Sequence, residues 1–115
     1  METPKHVAFN AGAGTSYFPT DNGDGSYIIN GLNEERMSDG ESALFYSFVK
    51  VYVPEGSIGH IYRNPNTEDS IVVEDRYLSA NKWHEIYFNA TYKGEHSAKI
   101  YGDKSLAILK IARCE

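Results

Sequence analysis

The chain has 115 residues, of which 41% are hydrophobic and 23% charged, with 11 basic and 16 acidic side chains. This length allows one domain, and we interpret residues 1–115 as a single β-sandwich domain. The net charge of −5 has the wrong sign for binding nucleic acid through its phosphates. No apolar run approaches the roughly 18 residues of a membrane span, so membrane insertion is not expected.

The cysteine content and the N-terminal segment add two expectations. The single cysteine, Cys114, cannot form an internal disulfide, so the fold depends on its hydrophobic core. Residues 1–10 contain no apolar stretch of the kind found in a secretory signal. We therefore expect the chain to stay where it is made or to be a piece of a longer protein.

Short runs of β-branched and aromatic residues recur along the chain, separated by Gly, Asn, Asp and Pro. This rhythm predicts an all-β fold, a jelly-roll β-sandwich of about eight to nine short antiparallel strands. The predicted strands are His6–Asn10, Ser16–Thr20, Ser26–Asn30, Ala43–Val53, Ile58–Tyr62, Ile71–Glu74, Trp83–Thr91, Glu95–Tyr101 and Leu106–Arg113.

Two segments between these strands have local signals of their own. Asp21–Gly25 is rich in residues that tolerate a positive φ, which predicts a hairpin loop. Leu32–Met37 is the best helix candidate, although it is long enough for only one or two turns.

Two strands near the C-terminus show the clearest alternation of apolar and polar residues. In Trp83–Thr91, the inward face is predicted to carry Ile86, Phe88 and Ala90 together with His84. In Glu95–Tyr101, the inward positions are predicted to be His96, Ala98 and Ile100. We expect the two strands to pair, which would place four residues on one outer face: Tyr87, Asn89, Lys99 and Tyr101.

The order of segments in residues 43–115 follows a recurring pattern. Ala43–Val53 is followed by a Pro-Glu-Gly turn, Trp83 opens an alternating strand, and Leu106–Glu115 closes the chain. This order resembles the galactose-binding-domain-like jelly rolls, which include carbohydrate-binding modules and the sugar-binding domains of phage tail fibres. The resemblance implies a jelly roll that binds a carbohydrate or cell-surface glycan.

Sugar recognition needs an aromatic ring for stacking and planar polar groups for the hydroxyls. The predicted outer face supplies both through Trp83, Glu85, Tyr87, Asn89, Lys99 and Tyr101. For Trp83 a structural role at the sandwich edge is favoured, and for Tyr87 and Tyr101 binding and packing under loops are equally compatible with the sequence. A second candidate lies in two loops that contain Arg63 and Arg76, where a solvated turn is the simpler alternative.

Metal and catalytic chemistry have weaker support. Asp21–Gly25 lacks the spacing of an EF-hand, since Leu32 stands where its last ligand would be. The resemblance leaves structural calcium open at Asp39, Glu41 or Asp103, and no other cofactor is expected. No nucleophile motif or metal-ligand spacing of histidines appears, so the sequence predicts a protein that is not an enzyme.

These observations together predict a non-catalytic carbohydrate-binding module of a phage fibre or a glycan-active protein. We expect it in a virion or outside the cell, forming oligomers that compensate for weak binding at each site. The alternative is a structural domain of a virion or assembly, whose tyrosine-rich face contacts protein.

Overall fold

The computed structural model describes residues 6–11 and 18–114, and it confirms the all-β prediction. None of the described residues forms a helix, so none offers an apolar helix that could cross a membrane. Within the described ranges there are eleven strands: β1 (Ala8–Ala11), β2 (Thr20–Asp21), β3 (Ser26–Ile29), β4 (Glu34–Met37), β5 (Ser42–Val53), β6 (Ser57–Arg63), β7 (Ile71–Val73), β8 (Arg76–Leu78), β9 (Lys82–Tyr92), β10 (Ala98–Tyr101) and β11 (Ala107–Arg113).

The strands form three antiparallel sheets. One sheet has the order β1-β5-β9-β7, the second has the order β2-β3-β11-β6-β8, and β10 pairs with β4 alone. The predicted hairpin at Asp21–Gly25 is confirmed between β2 and β3, with Gly23 and Gly25 at positive φ. The predicted strand Ser16–Thr20 falls partly outside the described residues, since the structure begins again at Phe18.

The core lies between the sheets and follows the alternation read from the sequence. Phe45 of β5 and Phe88 of β9 are direct cross-strand partners, and their rings stack with centroids 5.4 Å apart. Ile86, Phe88 and Ala90 are all buried, as the alternation predicts. Of the three residues placed inside on the next segment, only Ile100 is buried, whereas His96 is exposed in the loop before β10.

The predicted helix at Leu32–Met37 is wrong, because residues 34–37 form strand β4. Glu34 and Arg36 are exposed while Met37 is buried, and the segment pairs with β10 from Glu34↔Tyr101 to Met37↔Ala98. In a segment this short, the spacing of apolar residues does not distinguish a helix from a strand. Pairing with β10 therefore determines its conformation.

The predicted pairing of the two C-terminal strands is also wrong. A strand has two edges, and those of β9 are occupied by β5 and β7. The connection after β9 instead wraps around buried Tyr92, whose hydroxyl donates to the carbonyl of His96 at 2.6 Å. Strand β10 therefore pairs with β4, and its side chains do not share a sheet face with those of β9.

A pair of glycines holds the β10–β11 connection against the β3–β4 connection. The amide of Gly31 donates to the carbonyl of Gly102 at 2.7 Å, and the amide of Gly102 donates to the carbonyl of Asn33 at 3.0 Å. A Cβ at Gly102 would lie 2.9 Å from the Cα of Gly31. Only glycine fits this approach, which places the segment after β10 at one end of the sandwich.

Candidate functional site: a cationic pocket at one end of the sandwich

Three segments enclose a cavity of about 500 Å³ at one end of the sandwich. They are the loop after β6, strand β10 and the connection that leads into β11. We call this cavity the end pocket; it is lined by Asn64, Asn66, Thr67, Glu68, Ile71, Ala98, Lys99, Ile100, Tyr101, Lys104, Ser105 and Leu106.

Arg63, at the end of β6, organises the loop that forms one wall of the end pocket. Its Nε donates to the carbonyl of Ile71 at 2.7 Å, and its Nη2 donates to the carbonyls of Thr67 and Glu68, each at 2.8 Å. Asp69 lies 3.6 Å from the same nitrogen but is fully exposed, so this ion pair adds little. The planar guanidinium of Arg63, which does not itself line the pocket, thus fixes the conformation of the loop.

Asn64 joins the two loops of the pocket. Its side chain is buried, with Nδ2 donating to the carbonyl of Ser105 at 2.8 Å and Oδ1 accepting from the amide of Asn66 at 3.0 Å. The backbone amide of Asn64 donates to the carbonyl of Leu106 at 2.9 Å. Sequence reasoning singled out the loop that contains Asn64 but not the role of Asn64 in joining the two loops, because its partner at Ser105 is 41 positions away.

Two lysines give the pocket its positive charge. The Nζ of Lys99 lies 2.9 Å from Oε1 of Glu34, and the hydrogen bond to Glu34 raises the pKa of Lys99. The same nitrogen is 5.7 Å from the ring centroid of Tyr101, which is itself exposed. Lys104, in the connection that leads into β11, also lines the pocket. The lining of the pocket therefore includes two lysines and an aromatic ring, and the ammonium group of Lys99 is paired with Glu34.

The eight residues predicted to bind a ligand are found in three places. Lys99 and Tyr101 line the end pocket, and Arg63 supports it. Trp83 packs edge-on against Tyr52, with centroids 5.5 Å apart. The other four lie near one another on or beside β9: Arg76, Glu85, Tyr87 and Asn89.

Arg76 contacts two of the other members of this last group, Glu85 and Tyr87. Its guanidinium carbon lies 3.7 Å above the centre of the Tyr87 ring, and Nη1 donates to the carbonyl of Glu85 at 2.7 Å. Burial lowers the pKa of Arg76, which nevertheless stays far above neutrality as for any guanidinium. Asn89 donates to Oε2 of Glu74 at 3.3 Å.

The residues considered for calcium do not form a site. Oε1 of Glu41 accepts from the amide of Ser38 at 2.9 Å, closing a local turn. Across residues 6–11 and 18–114 there is no group of three or more His, Cys, Asp or Glu side chains that could hold a metal ion.

Comparisons with known proteins place the fold. No family model and no curated protein matches the chain. Among solved structures, a mutant dUTPase of Staphylococcus bacteriophage 80alpha with dUpNHpp has a TM-score of 0.83 at 16% identity, covering 97% of this chain and 92% of that one. A mutant dUTPase from phage phi11 of S. aureus, described for the coordination of a structural Mg(II) ion, has a TM-score of 0.82 at 16% identity, covering 96% and 92%. The chain has the all-β fold of these phage dUTPases.

These comparisons correct the functional predictions made from the sequence. The similar structures are nucleotide-hydrolysing enzymes, not carbohydrate-binding modules or tail-fibre domains. The resemblance to galactose-binding-domain-like jelly rolls is therefore wrong, as are the glycan partner, the virion-domain alternative and the conclusion that the protein is not an enzyme. Short alternating strands with a tryptophan and a Pro-Glu-Gly turn are shared by many sandwiches, so this pattern identified the fold class but not the family.

Proposed function

We propose that this protein binds a nucleoside triphosphate in the end pocket and hydrolyses it, as the phage dUTPases do with dUTP. The observation that carries the proposal is the likeness of fold over 97% of the chain to an enzyme that holds dUpNHpp. The residues of the end pocket add independent chemical support.

The charges of the pocket suit a polyphosphate chain. The molecule carries a net charge of −5, yet two lysines, Lys99 and Lys104, line the end pocket with one carboxylate, Glu68, while Lys99 is also paired with Glu34. Ammonium groups bind phosphate oxygens as compact point charges. The hydrogen bond to Glu34 keeps Lys99 positioned, and Lys99 is charged at neutral pH like any exposed lysine.

The size and remaining lining of the pocket suit the rest of a nucleotide. A volume of about 500 Å³ falls in the usual range of small-molecule sites, roughly 300–1,000 Å³. Tyr101 offers a ring on which a base can stack, and the exposed side-chain amide of Asn66 can form a hydrogen bond with the polar edge of that base. We assign the base to Tyr101 and the phosphates to the two lysines.

Hydrolysis requires a proton acceptor and neutralisation of charge on the transferring phosphorus. A water oxygen attacks the phosphorus, the bond to the departing phosphate oxygen breaks, and the water proton passes to a base. Glu68 is the carboxylate that lines the pocket, and we assign it this role; Oε2 accepts from the hydroxyl of Ser70 at 3.3 Å. The lysines stabilise the charge on the phosphate oxygens.

A resident magnesium site does not fit the described residues. The pocket lining supplies one carboxylate, and the described part of the chain has no cluster of three metal-ligating side chains. Mg²⁺ commonly binds through one or two carboxylates together with substrate phosphates. We therefore treat any Mg²⁺ as part of the nucleotide substrate.

The proposal is tested by calorimetric titration with dUpNHpp and by measuring product formation from dUTP, both with Mg²⁺ present. We expect Lys99→Met and Lys104→Met each to weaken dUpNHpp binding at least about tenfold, equivalent to about 1.4 kcal/mol. Lys110→Met makes the same charge change at an exposed position of β11 and is expected to leave binding within about twofold.

Glu68→Gln separates binding from hydrolysis. We expect it to bind dUpNHpp like the unaltered protein while product formation falls at least about a hundredfold, as for loss of a general base. No heat of binding at about 1 mM nucleotide would contradict the binding site. Binding without any product from dUTP would contradict the hydrolytic step.

The virion or extracellular location predicted from the sequence stays a prediction.

A further inference from the structure

A second cavity, of about 310 Å³, lies on the outer face of the four-stranded sheet, where β5 is irregular. We call it the bulge pocket. It shares no lining residue with the end pocket, and it is lined by Asn10, Ala11, Tyr46, Phe48, Val49, Lys50, Glu85, Ile86 and Tyr87.

The irregularity is a β-bulge in the longest strand of the molecule. Tyr46 pairs with Tyr87 and Lys50 with Glu85, so three residues of β5 stand opposite one residue of β9. The hydroxyl of buried Ser47 donates to the carbonyl of Ile86 at 3.0 Å and accepts from the amide of Val49 at 3.2 Å. The side chain of Ser47 thus replaces hydrogen bonds that the backbone of a regular strand pair would make. The bulge is therefore stabilised by specific hydrogen bonds.

Phe48, at the centre of the bulge, has a φ of +59°. A bulky side chain is strained in this left-handed region, where glycine is relaxed. Burial in the core does not compensate for the strain, because Phe48 is 56% exposed. An unusual backbone conformation that presents an exposed ring to solvent indicates a role for that ring outside the core.

The surroundings of Phe48 define the chemistry of the pocket. Tyr46 packs edge-on against it, with ring centroids 4.9 Å apart, and Tyr87 lines the same cavity. Arg76 holds the Tyr87 ring but lines the neighbouring cavity instead of this one. Three aromatic residues therefore line a cavity whose lining also includes the buried apolar residues Val49 and Ile86.

The polar groups of the bulge pocket are balanced in charge. Lys50 and Glu85 are cross-strand partners, one positive and one negative, and Asn10 pairs with Lys50 from β1. An amide supplies a hydrogen-bond donor and an acceptor, and opposite charges side by side favour a ligand without net charge. Aromatic walls favour a planar ring.

We infer that the bulge pocket binds a planar, uncharged heteroaromatic ring with hydrogen-bonding edges, of the class of a nucleobase in a nucleoside, and that Phe48 is the residue against which it stacks. This site is separate from the end pocket and does not depend on the proposed hydrolytic function.

The test is a titration of the whole protein with uridine and with adenosine, followed by ¹H–¹⁵N NMR spectra, with ribose as the probe that lacks a base. We expect one or both nucleosides to shift the amides of Phe48, Lys50 and Glu85, while ribose shifts none. No shifts with either nucleoside would overturn the inference, as would equal shifts with ribose or shifts confined to residues 98–106.

Phe48→Gly is the decisive variant, because glycine relieves the strain and removes the ring. We expect binding to weaken at least tenfold while the melting temperature stays equal to or above that of the unaltered protein. Leu44→Ala, at another exposed apolar position of β5 outside the pocket, is expected to leave binding unchanged. A clear fall in melting temperature for Phe48→Gly would assign Phe48 a structural role and overturn the inference, as would unchanged binding.

Discussion

The end pocket and the bulge pocket differ in how the protein holds their side chains. In the end pocket, Arg63 and buried Asn64 fix two loops through hydrogen bonds to backbone carbonyls. In the bulge pocket, a regular strand is interrupted, and Phe48 adopts a conformation that costs about 1–2 kcal/mol for a residue with a Cβ. The same scaffold thus builds one site from anchored loops and the other from a strained strand.

The two pockets also differ in charge. Two lysines, Lys99 and Lys104, and one carboxylate, Glu68, line the end pocket, whereas the bulge pocket is lined by one lysine, Lys50, and one carboxylate, Glu85. A polyphosphate suits the first environment and a neutral ring the second. Each of the following predictions would break or sharpen this comparison, and they run from the largest expected effect to the smallest.

Removing the anchor of the end pocket should have the largest effect. Asn64→Ala leaves the carbonyl of Ser105 and the amide of Asn66 without their side-chain partner. We expect a loss of about 2–3 kcal/mol in the free energy of unfolding, measured by urea denaturation. Asn66→Ala, at an exposed neighbour in the same loop, should change it by less than about 0.5 kcal/mol. Equal effects of the two substitutions would show that the loop is not anchored through Asn64.

Removing the hydroxyl that completes the bulge should have a smaller effect. Ser47→Ala leaves the amide of Val49 and the carbonyl of Ile86 unpaired in a buried position. The expected loss is about 1.5 kcal/mol in the same urea experiment. Ser42→Ala, on the same strand, removes only an exposed hydroxyl contact to Thr91 and should change stability by less than about 0.5 kcal/mol. A loss below that value for Ser47→Ala would mean that the bulge is satisfied in another way.

The smallest effect concerns the charge of Lys99. The hydrogen bond to Glu34 raises the pKa of Lys99, so we expect Glu34→Gln to lower the pKa of Lys99. The measurement is an NMR titration of the lysine side chain against pH. Because the folded-state pKa is raised, the stabilisation by this contact is present below the ordinary lysine pKa, about 10.4, and is lost as pH rises through the higher folded value. The titration of Lys104 serves as the internal control. An unchanged pKa for Lys99 would place Glu34 away from it in solution.

The sequence predicted elements whose periodicity is long and regular. In the strand predicted at Trp83–Thr91, apolar residues occupy every second position from Ile86 to Ala90, and the buried set Ile86, Phe88 and Ala90 follows from that alternation alone. The hairpin at Asp21–Gly25 was predictable because its glycines and acids act locally: Oδ1 of Asp21 accepts from the amide of Gly23, and Asp24 binds Ser26.

Partners far apart in the chain were beyond such reasoning. Lys99 and Tyr101 were predicted as ligand-binding residues beside Tyr87 and Asn89, but their strand pairs with β4, more than 60 positions earlier in the chain. Asn64 reaches Ser105 across 41 positions, and the bulge at Phe48 interrupts a segment that is apolar on both faces in the sequence. None of these relations leaves a local pattern.

The sequence by itself determined that this chain is an all-β sandwich, because the alternation of apolar side chains along each strand dictates which face is buried. Only the tertiary structure decided which strands are neighbours, since each strand edge accepts one partner and those of β9 were already occupied. That choice placed Lys99 and Tyr101 of the predicted binding face in the end pocket and Glu85 and Tyr87 in the bulge pocket.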